Sequence, residues 1–531
     1  MKKRKKIILG SITGALALAL AGGGFWAYKT FVPQETPIDK NATVASNFYQ
    51  AVNKDWLLKT KIPADSPSID NFYTLDEDIK GKLKKDIKNL GEGKETSDIT
   101  GMSEFITFYK AASDYKQREK DGLEPLKPYL KEIEDIKDLN DLASKSASLT
   151  DKGIPLPFGY DVGTNAENTS QKQIQLTPPS ILLPDVSIYK DEASKKQYLT
   201  PIETATQKAL EMLGYSEKNS KRIVKEALEF DEIIAKYSLS NEEMSESKNL
   251  VHPKTAEEIN AYSGSFKLYD VIKGIMGRDL ETINVPNTKY FENYSKIVNQ
   301  DNFSKIKSWI LVQEAMAASN SLTEDYRLNF QSISMAIMGT QKPVSKEDTV
   351  YEMSVHLFSD VMSVYYGRKY FGEEAKTDVT GMIDKIKNVY RGRLQQNDWL
   401  TEGTRNKAIE KLDKMKVFVG YQEDVNPGTK ELHLDPNKSF FELSEDIAQF
   451  GKRYTIDHFD EPIDKNKWSG SAFDINAYYN PESNSINFPA GILQAPFYDK
   501  NQSTEKNYGG IGVVIGHEIT HAFDSNGADY D

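Results

Sequence analysis

Gly509-Gly510-Ile511-Gly512-Val513-Val514-Ile515-Gly516-His517-Glu518-Ile519-Thr520-His521 is an apolar run that closes on H-E-x-x-H. Helical geometry gives the spacing its meaning. Successive residues turn about 100°, so His521 stands about 40° from His517, on the same face one turn later. Two imidazoles stacked in that way can grip one zinc ion. Glu518, about 60° to 100° around the helix, can reach a neighbouring water without ligating the metal. Such a carboxylate can take the proton of a water attacking a peptide carbonyl and hand it to the leaving amine. Ile511, Val513, Val514, Ile515 and Ile519 make the helix apolar. A buried helix carries two histidines and a glutamate at a cost unless they have a use. The bland alternative is an amphipathic helix with two histidines by coincidence. The glycines Gly509, Gly510 and Gly512 lack the Lys and Ser/Thr of a phosphate loop and read as room for close packing at the helix start.

Composition narrows the rest. At 531 residues the chain is too long for one core. Its 38% hydrophobic and 27% charged content is that of a globular protein. A formal net charge of -12 opposes a polyanionic partner, so nucleic acid is not expected. The absence of cysteine removes thiol catalysis, disulfides and cysteine-ligated metal together. Of the 6 histidines, His252, His356, His433 and His458 lie in polar or ordinary helical surroundings and read as surface or capping residues.

The N-terminus is an address. Five basic residues, Lys2 to Lys6, precede the uncharged stretch Ile7 to Tyr28. Its 22 residues would make a helix of about 33 Å, enough to cross a hydrocarbon core, with the basic flank cytoplasmic and the remainder outside. A cleavable signal peptide ending near Ala19-Leu20-Ala21 is the competing reading, which would leave a secreted protein. A lipoprotein is excluded for want of cysteine, and an exported chain without disulfides suggests a bacterial surface. Residues 29 to 46, with Pro33 and Pro37, read as a stalk. From Phe48 to about residue 420 the pattern is helical. Ser216 is a candidate N-cap, and Ile223, Ala227, Phe230 and Ile234 form one buried stripe behind it. Residues 155 to 185 interrupt this with five prolines and an alternating Gln173-Ile174-Gln175-Leu176, a hairpin-like excursion. Past residue 422 turn residues dominate, helical periodicity returns over Phe441 to Tyr454, and strand and turn signals follow from Trp468. There Ser485-Ile486-Asn487-Phe488, stopped by Pro489, reads as an edge strand.

Longer motifs surround the H-E-x-x-H. They are Asn476-Ala477-Tyr478-Tyr479, Asn487-Phe488-Pro489-Ala490-Gly491-Ile492-Leu493-Gln494, Asn507-Tyr508-Gly509-Gly510-Ile511-Gly512, and Phe523-Asp524. With them the segment Ile475 to Asp531 closely resembles the neprilysin family of zinc metallopeptidases. Phe48-Tyr49-Gln50 with Asn53 and Trp56, Leu183-Pro184-Asp185, Asp398-Trp399-Leu400 and Gly420-Tyr421 extend the resemblance more weakly through the helical region. The resemblance implies a mainly α fold with a smaller α+β part. A large helical lid domain (47–425) would close over an incomplete thermolysin-like, zincin catalytic domain (468–531), joined through 426–467 and preceded by the anchor (1–28) and stalk (29–46). It implies one Zn2+ per complete protein on His517 and His521, Glu518 as the catalytic base, and Asn476 and Ala477 holding an extended oligopeptide along a sheet edge. Asp524 would orient a ligand histidine from behind, although a plain helix-end Asp reads equally well.

One departure bears on activity. A catalytic zinc site takes three protein ligands, and the family's third is a Glu on a later helix. Residues 522–531 contain no Glu, and Asp524, Asp529 and Asp531 lie too close in sequence to replace it. The expectation is therefore a C-terminally truncated, inactive or nearly inactive piece of a zinc metalloendopeptidase. The alternatives are a non-catalytic surface peptide-binding protein and a purely structural ectodomain. Oligomeric state is left open by the sequence.

Overall fold

The structure is a computed structural model describing residues 38–530. The apolar run 7–28 expected to anchor the chain, and the start of the stalk, lie outside the described residues. Among the described residues no helix is long and apolar enough to cross a membrane.

The fold is mainly helical with two small sheets. The helices needed below are α1 (Asn71–Gly91), α2 (Leu139–Asp151), α3 (Glu217–Tyr237), α4 (Phe303–Ala317), α5 (Ser359–Tyr370), α6 (Glu373–Gln395), α7 (Glu402–Lys414), α8 (Phe440–Asp457) and α9 (Ile511–His521). The strands are β1 (Gly159–Asn165), β2 (Asn168–Thr177), β3 (Pro253–Lys254), β4 (Ile283–Asn284), β5 (Lys416–Gly420), β6 (Tyr478–Asn480) and β7 (Ser485–Pro489).

Local sequence signals explain much of this. The Ser216 hydroxyl accepts the Asn219 N–H and so starts α3, satisfying a donor that the helix itself cannot pair. The expected stripe of Ile223, Ala227, Phe230 and Ile234 is buried, and Phe230 meets Trp309 of α4 edge to face, with ring centroids 5.9 Å apart. The proline-rich excursion is the β1–β2 hairpin, extended by β4 and β3 into a four-stranded sheet. Asp231 of α3 pins the chain that leaves it. Its carboxylate accepts the Leu182 N–H at 3.0 Å, the Trp309 Nε1–H at 3.0 Å and the Tyr189 hydroxyl.

Three buried apolar clusters form the interior. The largest runs from Leu126 to Ile333, with Phe441 added from α8. A second joins α1, the helix Met102–Ser113, residues 350–366 and parts of 425–443. The third gathers Val379, Met382 and Ile383 of α6, Ile486 and Phe488 of β7, and Ile511, Ile515 and Ile519 of α9. The H-E-x-x-H helix therefore rests on a helix more than a hundred residues upstream.

One sequence expectation is corrected here. Ser485 to Phe488 is not an edge strand. The sheet order is β5-β7-β6, with β7 in the middle, parallel to β5 and antiparallel to β6. Pro489 sits at the last pair, opposite Gly420, where a missing N–H interrupts no interior rung. The parallel partner β5 comes from distant sequence, so no local signal announces it.

Candidate active site

α9 begins where Gly510 passes under the preceding loop. A Cβ there would lie 2.3 Å from the Phe497 carbonyl oxygen, so the glycine provides close approach, as the sequence suggested. Ile511, Ile515, Glu518 and Ile519 face inward, while His517 is exposed and His521 half-buried. This face pattern follows from the 3.6-residue period and leaves the two imidazoles side by side at the rim.

The rings converge. His517 Nε2 and His521 Nε2 are 3.0 Å apart, with ring planes at 85°. Two Zn–N bonds of about 2.0–2.1 Å at a tetrahedral angle would set the nitrogens about 3.3 Å apart, so the pair is spaced to share one metal ion. A Glu518 carboxylate oxygen stands beside them, and the three atoms lie within 4.8 Å of one another. Glu518 is only 5% exposed. Burial pushes its carboxyl up from the ordinary value, while His521, His517 and the Tyr479 N–H pull the other way.

Behind His521, Asp524 Oδ2 lies 2.7 Å from Nδ1. A carboxylate only accepts, so the contact assigns the proton to Nδ1 and leaves the Nε2 lone pair facing His517. Asp524 Oδ1 in turn accepts the N–H groups of Gly527 at 2.8 Å and Asn526 at 3.0 Å. The Gly527 N–H and then His521 hold this carboxyl below its usual range. A Cβ on Gly527 would fall 1.9 Å from the His521 carbonyl oxygen, so only glycine lets the loop tuck against the helix end.

Asn476 and Ala477 immediately precede β6, the strand at the edge of the sheet. Asn476 is exposed and its Oδ1 accepts the Ala477 N–H at 3.0 Å, while Ala477 is buried in the third apolar cluster. Two residues after Ala477, the Tyr479 N–H meets the Glu518 carboxylate, so the edge strand runs beside the carboxylate. Of the remaining histidines, His458 caps α8, with Nδ1 2.8 Å from the Tyr454 carbonyl oxygen, and His433 is exposed near Glu104. Neither joins the histidine pair.

Sequence reasoning missed the groups that hold this site from outside. They are the Tyr479 backbone, the loop around Gly527, and Lys411 of α7, which donates to the Gly527 carbonyl at 2.7 Å. An Asp-x-x-Gly spacing after the second histidine was the available signal for the loop. Nothing local marks Lys411.

A mainly helical chain whose H-E-x-x-H helix backs onto a small mixed sheet has the architecture of a metallopeptidase. Models of "Peptidase family M13" match residues 44–422 and 476–531, and the chain belongs to that family, the neprilysin family. It is 35% identical over 494 residues to a neutral endopeptidase of Lactobacillus helveticus, covering 93% of this chain and 76% of that protein. A Streptococcus gordonii protein described as a zinc metalloproteinase is 32% identical, over 91% of this chain and 86% of its own length. The crystal structure of PepO from Lactobacillus rhamnosis superposes with a TM-score of 0.87 at 27% identity, covering 92% of this chain and 78% of that one.

Proposed function

We propose that this protein is a zinc-dependent endopeptidase of oligopeptides, in which His517 and His521 hold the metal and Glu518 moves the proton. The observation that carries the reading is the convergence of both Nε2 atoms beside a buried carboxylate. Zinc, when bound there, would acidify a water and polarise the substrate carbonyl. Glu518, biased toward the neutral form by burial and toward the charged form by its histidines, is poised to accept a proton and return it to the leaving amine. Asp524 keeps His521 in the tautomer that offers Nε2. Asn476 and Ala477, at the entrance to the edge strand, would align an extended peptide backbone beside Glu518, and the helical lobe would close over it.

His517 and His521 would supply two of the three protein ligands that a catalytic zinc site takes. The basic cluster and the 22-residue uncharged run support an exported, membrane-held placement, which fractionation of expressing cells would check. Cleavage of a quenched fluorescent peptide tests the catalytic assignment. In a form with measurable turnover, Glu518→Gln should lower kcat by about 10²–10⁴-fold without loss of zinc. Undiminished turnover in that variant would refute the assignment.

A further inference from the structure

Lys411 is 8% exposed, and its ammonium reaches the turn that follows the histidine helix. Nζ donates to the carbonyls of Gly527 and Tyr530. These belong to the turn whose Gly527 and Asn526 N–H groups hold Asp524, which in turn holds His521. The backbone of Lys411 is tied as well. Its carbonyl accepts Asn484 Nδ2 at 2.9 Å, and Asn484, at φ +46° in the β6–β7 turn, accepts the Tyr479 hydroxyl at 3.3 Å. Tyr479 is the residue whose N–H meets Glu518. Two relays thus leave one lysine. One passes through Gly527 and Asp524 to His521, the other through Asn484 and Tyr479 to Glu518.

We propose that Lys411 is a positioning residue for the metal centre, fixing the 524–530 loop so that Asp524 keeps His521 in the Nδ1–H tautomer. The proposal rests on the zinc reading above. Geometry favours it over plain loop packing. The ammonium donates to two carbonyls of the turn that presents Gly527 N–H to Asp524, so its removal would strand the buried Gly527 carbonyl and release that turn.

The test uses the full chain carrying Lys411→Met, Lys411→Arg, Asp524→Asn and the Lys411→Met/Asp524→Asn double substitution. Zinc affinity is measured by competition with a chromophoric chelator, and the histidine tautomers of the metal-free protein by 15N chemical shifts at pH 8. Lys411→Met should weaken zinc binding by about 10–100-fold and shift His521 away from the Nδ1–H form, and Lys411→Arg should regain most of both. The double substitution should bind no worse than the weaker single one, because both act through one path. Should Lys411→Met fail to fold, Lys411→Gln, which keeps an amide donor, carries the same comparison. Wild-type affinity and wild-type His521 shifts in folded Lys411→Met, or in Lys411→Gln where the Met variant does not fold, would overturn the inference, as would losses that multiply in the double variant. If His521→Ala leaves zinc binding unchanged, the metal reading itself fails, and the tautomer shifts still decide whether Lys411 governs the ring.

Discussion

The smallest unit that decides behaviour here is a missing Cβ. Gly527 brings its N–H to Asp524 and its carbonyl to Lys411, and it can do so because no side chain meets the His521 carbonyl oxygen 1.9 Å away. Gly527→Ala should therefore push the loop outward. The expected cost is about 1–3 kcal/mol of stability, together with weaker zinc binding, both readable by denaturant titration and chelator competition. A surface glycine with open space around it, such as Gly516, gives the comparison, since alanine there meets nothing within 4 Å. The side-by-side placement of the histidines and Glu518 was legible because it follows from a fixed helical spacing. Lys411 was not, because a buried lysine and a surface lysine look alike in sequence.

At the scale of elements, the packing of α2, α4 and α8 buries the Glu314 carboxyl and partly withdraws Glu445 and Lys452 from water. Burial raises Glu314 to about 8 and Glu445 to about 7, and it lowers Lys452, whose Nζ donates to the Thr150 carbonyl at 3.1 Å. Asp151 adds a further negative charge near Lys452. An unfolded glutamate titrates near 4.3. With folded values raised, the stabilisation from the neutral carboxyls is complete below that pH and is lost as pH climbs through about 7 to 8. Glu314→Gln should match wild type in melting midpoint at pH 4 and exceed it by a few degrees at pH 9. Scanning calorimetry across that range provides the check, and equal midpoints at pH 9 would contradict it. At the N-terminus of α3, Ser216→Ala should cost about 1 kcal/mol through the lost cap, measurable in urea. Both the cap and the stripe beneath it were readable, since they depend on residues a few positions apart. The middle position of β7 was not, since its parallel neighbour β5 is supplied from 65 residues away or more.

For the whole molecule, metal binding and folding are linked. A ligand that binds only the folded state adds about 2.7 kcal/mol at a hundred times its Kd. Excess zinc should raise the melting midpoint of this chain, and EDTA should reverse the rise. Substituting His517 and His521 by alanine should remove the response, while Glu518→Gln should retain it. The chain spans 76% of the Lactobacillus helveticus relative and 86% of the Streptococcus gordonii one, and the third apolar cluster that carries the site draws α6 and β5 from the long helical region. The sequence by itself determined the class of chemistry, the helical bulk and the face on which the histidines stand, because each depends on period and spacing along a single segment. Tertiary structure alone decided which upstream helix supports the site, which strand lies central, and which lysine steadies the loop behind His521, because those contacts join residues about seventy to more than a hundred positions apart, brought together only by burial of a common core.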